Sequence, residues 1–126
     1  MPYRGVDPDR FDQLVAEALE ELPESISEKL DNISIVVADW PTSADLAAAG
    51  VPRGHTLYGL YQGVPHTQRT SHYGLVAPDR VIIFSGPIMQ ACRTEAEVRA
   101  EVRRVVLHEV GHHFGLSEER LDELGM

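Results

Sequence analysis

The chain has 126 residues, enough for one packed core with little to spare, so a single domain spanning residues 1–126 is expected. Its 43% hydrophobic and 25% charged content is that of a globular protein, and no apolar run reaches the length of a membrane span. A formal net charge of −9 excludes the clustered basic surface that nucleic acid requires. The acids gather in residues 17–28 and 95–123 and read as solvated helix faces, or as a field favouring basic or neutral substrates. The first residues carry no apolar secretory segment, and the single cysteine, Cys92, has no partner for an internal disulfide. Both features lead us to expect a cytoplasmic protein, with Cys92 a small buried hydrophobe.

In chain order, Asp7-Pro8 opens a helix whose Phe11, Leu14, Val15, Ala18, Leu19 and Leu22 recur at three- and four-residue spacing. Pro23 interrupts it, and Ile26 and Leu30 continue as a short further turn. Ile33 to Ala38 is short and β-branched and predicts a largely buried strand. Ser43 to Ala49 predicts a short helix ending at Gly50, and Thr56 to Tyr61 a second strand weakened by Gly59. Gly63 to Pro78 has the composition of a long loop fit to line a cleft. Val81 to Phe84 is the clearest strand, ended by Gly86-Pro87, with a turn or two of helix over Pro87 to Cys92. With several helices and a few short strands in one domain, the expected fold class is α+β.

Thr94-Glu95-Ala96-Glu97 forms a capping-box pattern that opens a helix over residues 94–114. Val98, Val102, Val105 and Val106 share one stripe of that helix, and Glu109 lies on it too. An acid on an apolar stripe is costly without a partner. The same helix carries His108-Glu109-Val110-Gly111-His112, the pattern His-Glu-x-x-His. Positions i and i+4 of a helix stand one above the other, so His108 and His112 aim two imidazoles at one point. Zn2+ accepts such a pair, one ion per chain, with Glu109 beside the metal as general base towards a zinc-activated water. His113 projects about 100° away from His112 and takes a packing or hydrogen-bonding role.

Two imidazoles leave a zinc site incomplete. Gly115 is placed to stop the helix in the left-handed conformation, and the reversal returns the side chain of Glu118 towards the metal. A separate downstream helix bearing the third ligand does not fit the few residues left. Glu118 also suits the first turn of a last short helix capped by Ser117 and running through Leu124. Glu119, His72, His66 and Asp79 are the other side chains considered for the third ligand.

The run from His108 to Gly125 resembles the end of the small bacterial zincin-like metallopeptidases, the minimal zincins. Tyr58 to Pro65 and Val81 to Ile88 are similar to that family as well, so the resemblance covers the chain from about residue 56 onward. The family more usually has aspartate where this chain has Glu118. The resemblance implies a small mixed sheet packed against helices, with 94–114 as active-site helix. It also implies a peptide held along a strand at the cleft edge, for which Val81 to Phe84 is the candidate.

Together these readings predict a zinc metallopeptidase acting on a peptide or protein substrate, with His108, His112 and Glu118 on the metal and Glu109 catalytic. Tyr58, Tyr61, His72 and Tyr73 are candidate oxyanion donors. Met126 stands too near the chain end for a methionine turn. Two rival readings remain open: a zinc-binding or partner-binding module with little turnover, and a zinc hydrolase of a non-peptide amide. Neither nucleic acid nor membrane is expected as a partner, and the sequence is silent on oligomeric state.

Overall fold

The computed structural model describes residues 8–51, 56–63, 79–117, 119, 120 and 123. Helix α1 covers Pro8–Glu20 and buries Phe11, Leu14, Val15 and Ala18, as the spacing predicts. After Pro23 come α2, Glu24–Ser27, with Ile26 buried, and a 3-10 turn over Glu28–Asn32. Strand β1 is Ile33–Ala38 and helix α3 is Ser43–Ala48. Strand β2 is Gly59–Gln62 and strand β3 is Asp79–Phe84. Helix α4, Ser85–Ala91, begins directly after β3, and α5 covers Glu95–His113. Gly86 and Pro87 thus form the first turn of α4 rather than a break, since proline there gives up an N–H with no intrahelical partner.

The strands form one mixed sheet in the order β1-β3-β2, β1 parallel and β2 antiparallel to β3. Two expectations are corrected here. The Val81–Phe84 segment is in the central strand, hydrogen-bonded on both sides, and has no edge to offer a peptide. The Ile33–Ala38 strand is an edge strand and none of its residues is fully buried, although Ile33, Ile35 and Val37 pack partly against the core. Its β-branched composition reports a strand but not its place in the sheet.

One core joins the layers. Phe11, Leu14 and Ala18 of α1, Val81 and Ile83 of β3, and Val98, Val102, Val106 and Val110 of α5 meet in it. Cys92 is buried beside them, and burial pushes its thiol up to about 11. Ion pairs run along the α1–α5 seam: Arg10 to Glu95 at 2.6 Å, Arg99 to Glu17 at 3.4 Å and Arg103 to Glu21 at 3.7 Å. The Arg10 hydrogen bond holds the Glu95 carboxyl below its ordinary range, so this tie persists above that range and fades as pH falls through the lowered value. Among the described residues no helix is long and apolar enough to cross a membrane.

Helix caps distribute differently from expectation. The complete reciprocal box is at α3: Thr42 Oγ1 accepts from the Asp45 N–H at 3.0 Å, and Asp45 accepts from the Thr42 N–H at 2.9 Å. At α5, Thr94 Oγ1 accepts from the Glu97 N–H at 3.1 Å, but the Glu97 carboxylate turns to the Arg93 N–H and the Thr94 hydroxyl.

Gly59 is where β2 crosses α5. A Cβ there would lie 2.2 Å from Val105 Cγ1 and 3.2 Å from the Ile82 carbonyl oxygen, so only glycine permits this approach. We therefore expect Gly59→Ala to destabilise the chain by about 1–3 kcal/mol in urea unfolding. Adding Val105→Ala should recover part of that loss, and strictly additive effects would contradict the close approach.

Candidate metal centre

Helix α5 brings His108 and His112 onto one face, with His108 half-buried, His112 exposed, and the His108 Nε2 atom shielded from solvent. Their ring centroids are 5.8 Å apart with an interplanar angle of 70°. Two imidazoles sharing one zinc at ~2.0–2.1 Å per bond and a tetrahedral angle have centroids roughly 5 Å apart. The donor chemistry and the spacing of this pair fit zinc with a small side-chain adjustment.

Glu109 is half-buried between that pair and the sheet, and its Oε1 accepts from the backbone N–H of Tyr61 at 2.9 Å. The β2–β3 register explains why that N–H is available. Phe84 N–H donates to the Tyr58 carbonyl, so Leu60 and Gln62 continue the bonded pairs while Gly59 and Tyr61 turn their backbone groups outward. The acid on the apolar stripe thus has an amide partner within the protein itself.

The side chain of Tyr61 is fixed at three points. It packs against the core, its hydroxyl donates to Asp79 Oδ2 at 2.6 Å, and its ring stacks on His113 with centroids 3.9 Å apart and planes 12° apart. His113 Nε2 is 3.9 Å from the same Asp79 oxygen. His113 takes the packing role expected of it, and Asp79 is engaged with Tyr61 and His113.

The end of α5 reverses as Gly115 predicts. Gly115 has φ +81°, its N–H donates to the His112 carbonyl at 3.0 Å, and the Leu116 N–H donates to the Gly111 carbonyl at 2.8 Å. That pair of bonds is the Schellman arrangement, closed by Leu116 packing on the core. Ser117 Oγ then accepts from the Arg120 N–H at 3.1 Å, an N-cap bond. Glu118 lies outside the described residues, as do His66, His72, Tyr73, Met126 and most of the 63–78 segment. Among the described residues no group of three or more His, Cys, Asp or Glu side chains is gathered to hold a metal ion. Asp79 and the exposed Glu119 therefore do not complete the His108–His112 pair.

An open cleft of about 200 Å3 runs between α5 and the approach to β2, lined by Thr56, Leu57, Tyr58 and Gly59 on one side and Arg104, Val105, His108 and Glu109 on the other. Of the tyrosines considered as oxyanion donors, Tyr58 lines this cleft, whereas the Tyr61 hydroxyl is committed to Asp79. Sequence reasoning missed two groups here. The Tyr61 amide carries no side-chain signature, and its one trace is the glycine two residues earlier. Arg104 was legible as position i−4 from His108, on the same helix face.

The model of one family, described as zincin-like metallopeptidase, matches residues 30–126. The fold is similar to that of a conserved hypothetical protein from Thermus thermophilus, with a TM-score of 0.54 and 22% identity over 86% of this chain and 94% of that one. No curated protein matches. A helix bearing His108, Glu109 and His112, a small mixed sheet with its edge strand beside that helix, and a family match over most of the length lead to one conclusion: the chain belongs to the zincin-like metallopeptidase family.

Proposed function

We propose that the protein is a zinc-dependent peptidase in which Glu109 acts as general base. The observation that carries this reading is the Tyr61 N–H to Glu109 hydrogen bond. It holds one carboxylate oxygen against the edge strand, on the same helix that carries the histidine pair. His108, His112 and Glu118 would hold the metal, Glu118 being assigned from the sequence and the reversal at Gly115. When bound there, zinc supplies Lewis-acid polarisation of a carbonyl and acidifies water.

The chain's own groups do the rest. A substrate main chain laid along the outer edge of β2 meets the Gly59 and Tyr61 carbonyl groups, which face away from β3. This places the scissile bond over α5, near Glu109, which takes the attacking water's proton and delivers it to the leaving amine. Tyr58 lines the cleft, and its hydroxyl is the candidate donor for the developing oxyanion. Valines behind Glu109 keep bulk water off its inner face.

Elemental analysis and peptide hydrolysis test this assignment together. Wild type should carry about one zinc per chain, and Glu109→Gln should keep the metal while losing roughly 10^2–10^4-fold in kcat. Unchanged turnover in Glu109→Gln would remove the assignment, and retention of zinc by His108→Ala would remove the ligand set. Absence of turnover in zinc-loaded wild type against a broad peptide set would favour a binding module instead.

The Tyr61 amide has its own test. Tyr61→Phe keeps the N–H and the stack, and we expect kcat within a few-fold of wild type. Tyr61→Pro deletes the donor without removing a ladder bond, and kcat should fall at least tenfold with little change in KM. Equal kcat in the two variants would show that the amide does not position the base.

A further inference from the structure

Arg104 is a cation in the wall of the cleft, one helical turn before His108 and on the same face. Its guanidinium is not loose. Nε donates to Glu101 Oε2 at 3.2 Å, and Nη2 donates to Glu101 Oε1. Of five N–H groups, this bidentate pairing consumes two and fixes the plane of the fork. Both Nη1 hydrogens and the second Nη2 hydrogen remain for a further acceptor, and one from each nitrogen forms a second two-pronged edge. A planar, pre-oriented guanidinium loses less side-chain freedom on binding than a lysine would.

The size of the cleft limits what that edge can meet. At about 200 Å3 it is smaller than the ~300–1,000 Å3 typical of small-molecule sites, so it accepts one side chain rather than a folded ligand. The opposite wall, Thr56 to Gly59, is the lead-in to β2, the strand along which the proposed substrate lies. A substrate residue next to the scissile bond therefore points its side chain at Arg104. The carboxylate of an aspartate or glutamate is the group with the geometry to take both remaining prongs.

We infer that Arg104, oriented by Glu101, selects substrates bearing an acidic side chain immediately beside the cleaved bond. This rests on the peptidase reading above and names its substrate class. The net charge of −9 slows the approach of an anionic peptide, but that field is screened within about 8 Å at physiological salt, whereas contact with the guanidinium is direct. Charge density elsewhere on α1 and α5 therefore changes association rate, not which residue the cleft accepts.

The test uses the full, zinc-loaded chain and quenched fluorogenic peptides differing at one position at a time, with Glu, Gln, Lys or Leu. One position flanking the cut should favour Glu over Gln by about tenfold or more in kcat/KM. Arg104→Gln should abolish that ratio, and Arg104→Glu should turn it towards Lys. A ratio unchanged in both variants overturns the inference. In parallel, acetylated Ala-Ala-Glu-Ala-Ala and its Gln twin are titrated against wild type and Arg104→Gln, followed by backbone amide shifts at Gly59 and Val105. Tighter binding of the Glu peptide that disappears in Arg104→Gln upholds the carboxylate site even if no peptide is cleaved, in which case only the peptidase reading falls. Equal or absent binding of the two peptides, without a cleavage ratio, overturns the carboxylate site.

Discussion

Everything at this site depends on one hydrogen bond between two groups that each need a partner. Glu109 lies on a helix stripe otherwise made of buried valines, where an unpartnered carboxylate is costly. Tyr61 lies on an edge strand, and its amide faces away from the sheet. Placing the strand against the helix joins the two at 2.9 Å. The contact also fixes the distance between the helix that carries the histidine pair and the edge strand β2.

That contact is only as firm as the packing behind it. Gly59 allows the strand to sit on Val105, and the Tyr61 ring, held by Asp79 and His113, keeps the next residue of that face in place. Val105, Glu109 and His113 follow one another at four-residue intervals, so β2 lies along a single line of the helix. The helix in turn is seated against α1 by the core and by the arginine–carboxylate pairs along the seam. Those half-buried, solvent-facing pairs add little stability each. Their consequence is orientation: they keep the valine stripe inward and the histidine face outward.

How much of this the sequence disclosed follows from the range of each signal. The helices, the reversal at Gly115, the cap at Ser117 and the shared face of His108 and His112 are all written within a few residues of where they act. Periodicity and capping chemistry report them directly. Strand order is a long-range property. Val81 to Phe84 and Ile33 to Ala38 are both apolar and β-branched, so composition did not show that the first is central and the second is an edge. The partner of Glu109 was hidden for another reason, because a backbone amide is the same for every residue type except proline. Gly59 was read as a weakness in a strand, when its meaning lay in Val105, far away in the chain. The third ligand stays a sequence assignment, since Glu118 lies outside the described residues.

The economy of the arrangement also explains how a chain of this length can carry such a site. Two imidazoles and a carboxylate come from a single stretch of helix, so their mutual geometry is set by helical repeat rather than by long-range folding. What must be built by tertiary structure is one strand edge at the correct height above that helix. A three-stranded sheet suffices, because the central strand fixes the edge strand through its ladder and the glycine contact fixes it against the helix. Under the proposed function, recognition among the described residues would fall to side chains on the helix face that lines the cleft. Arg104, one turn from His108 and held by Glu101, is the charged group in the described wall with hydrogens left to offer. On the proposed function, selectivity would then be drawn from the same helix that carries the histidine pair.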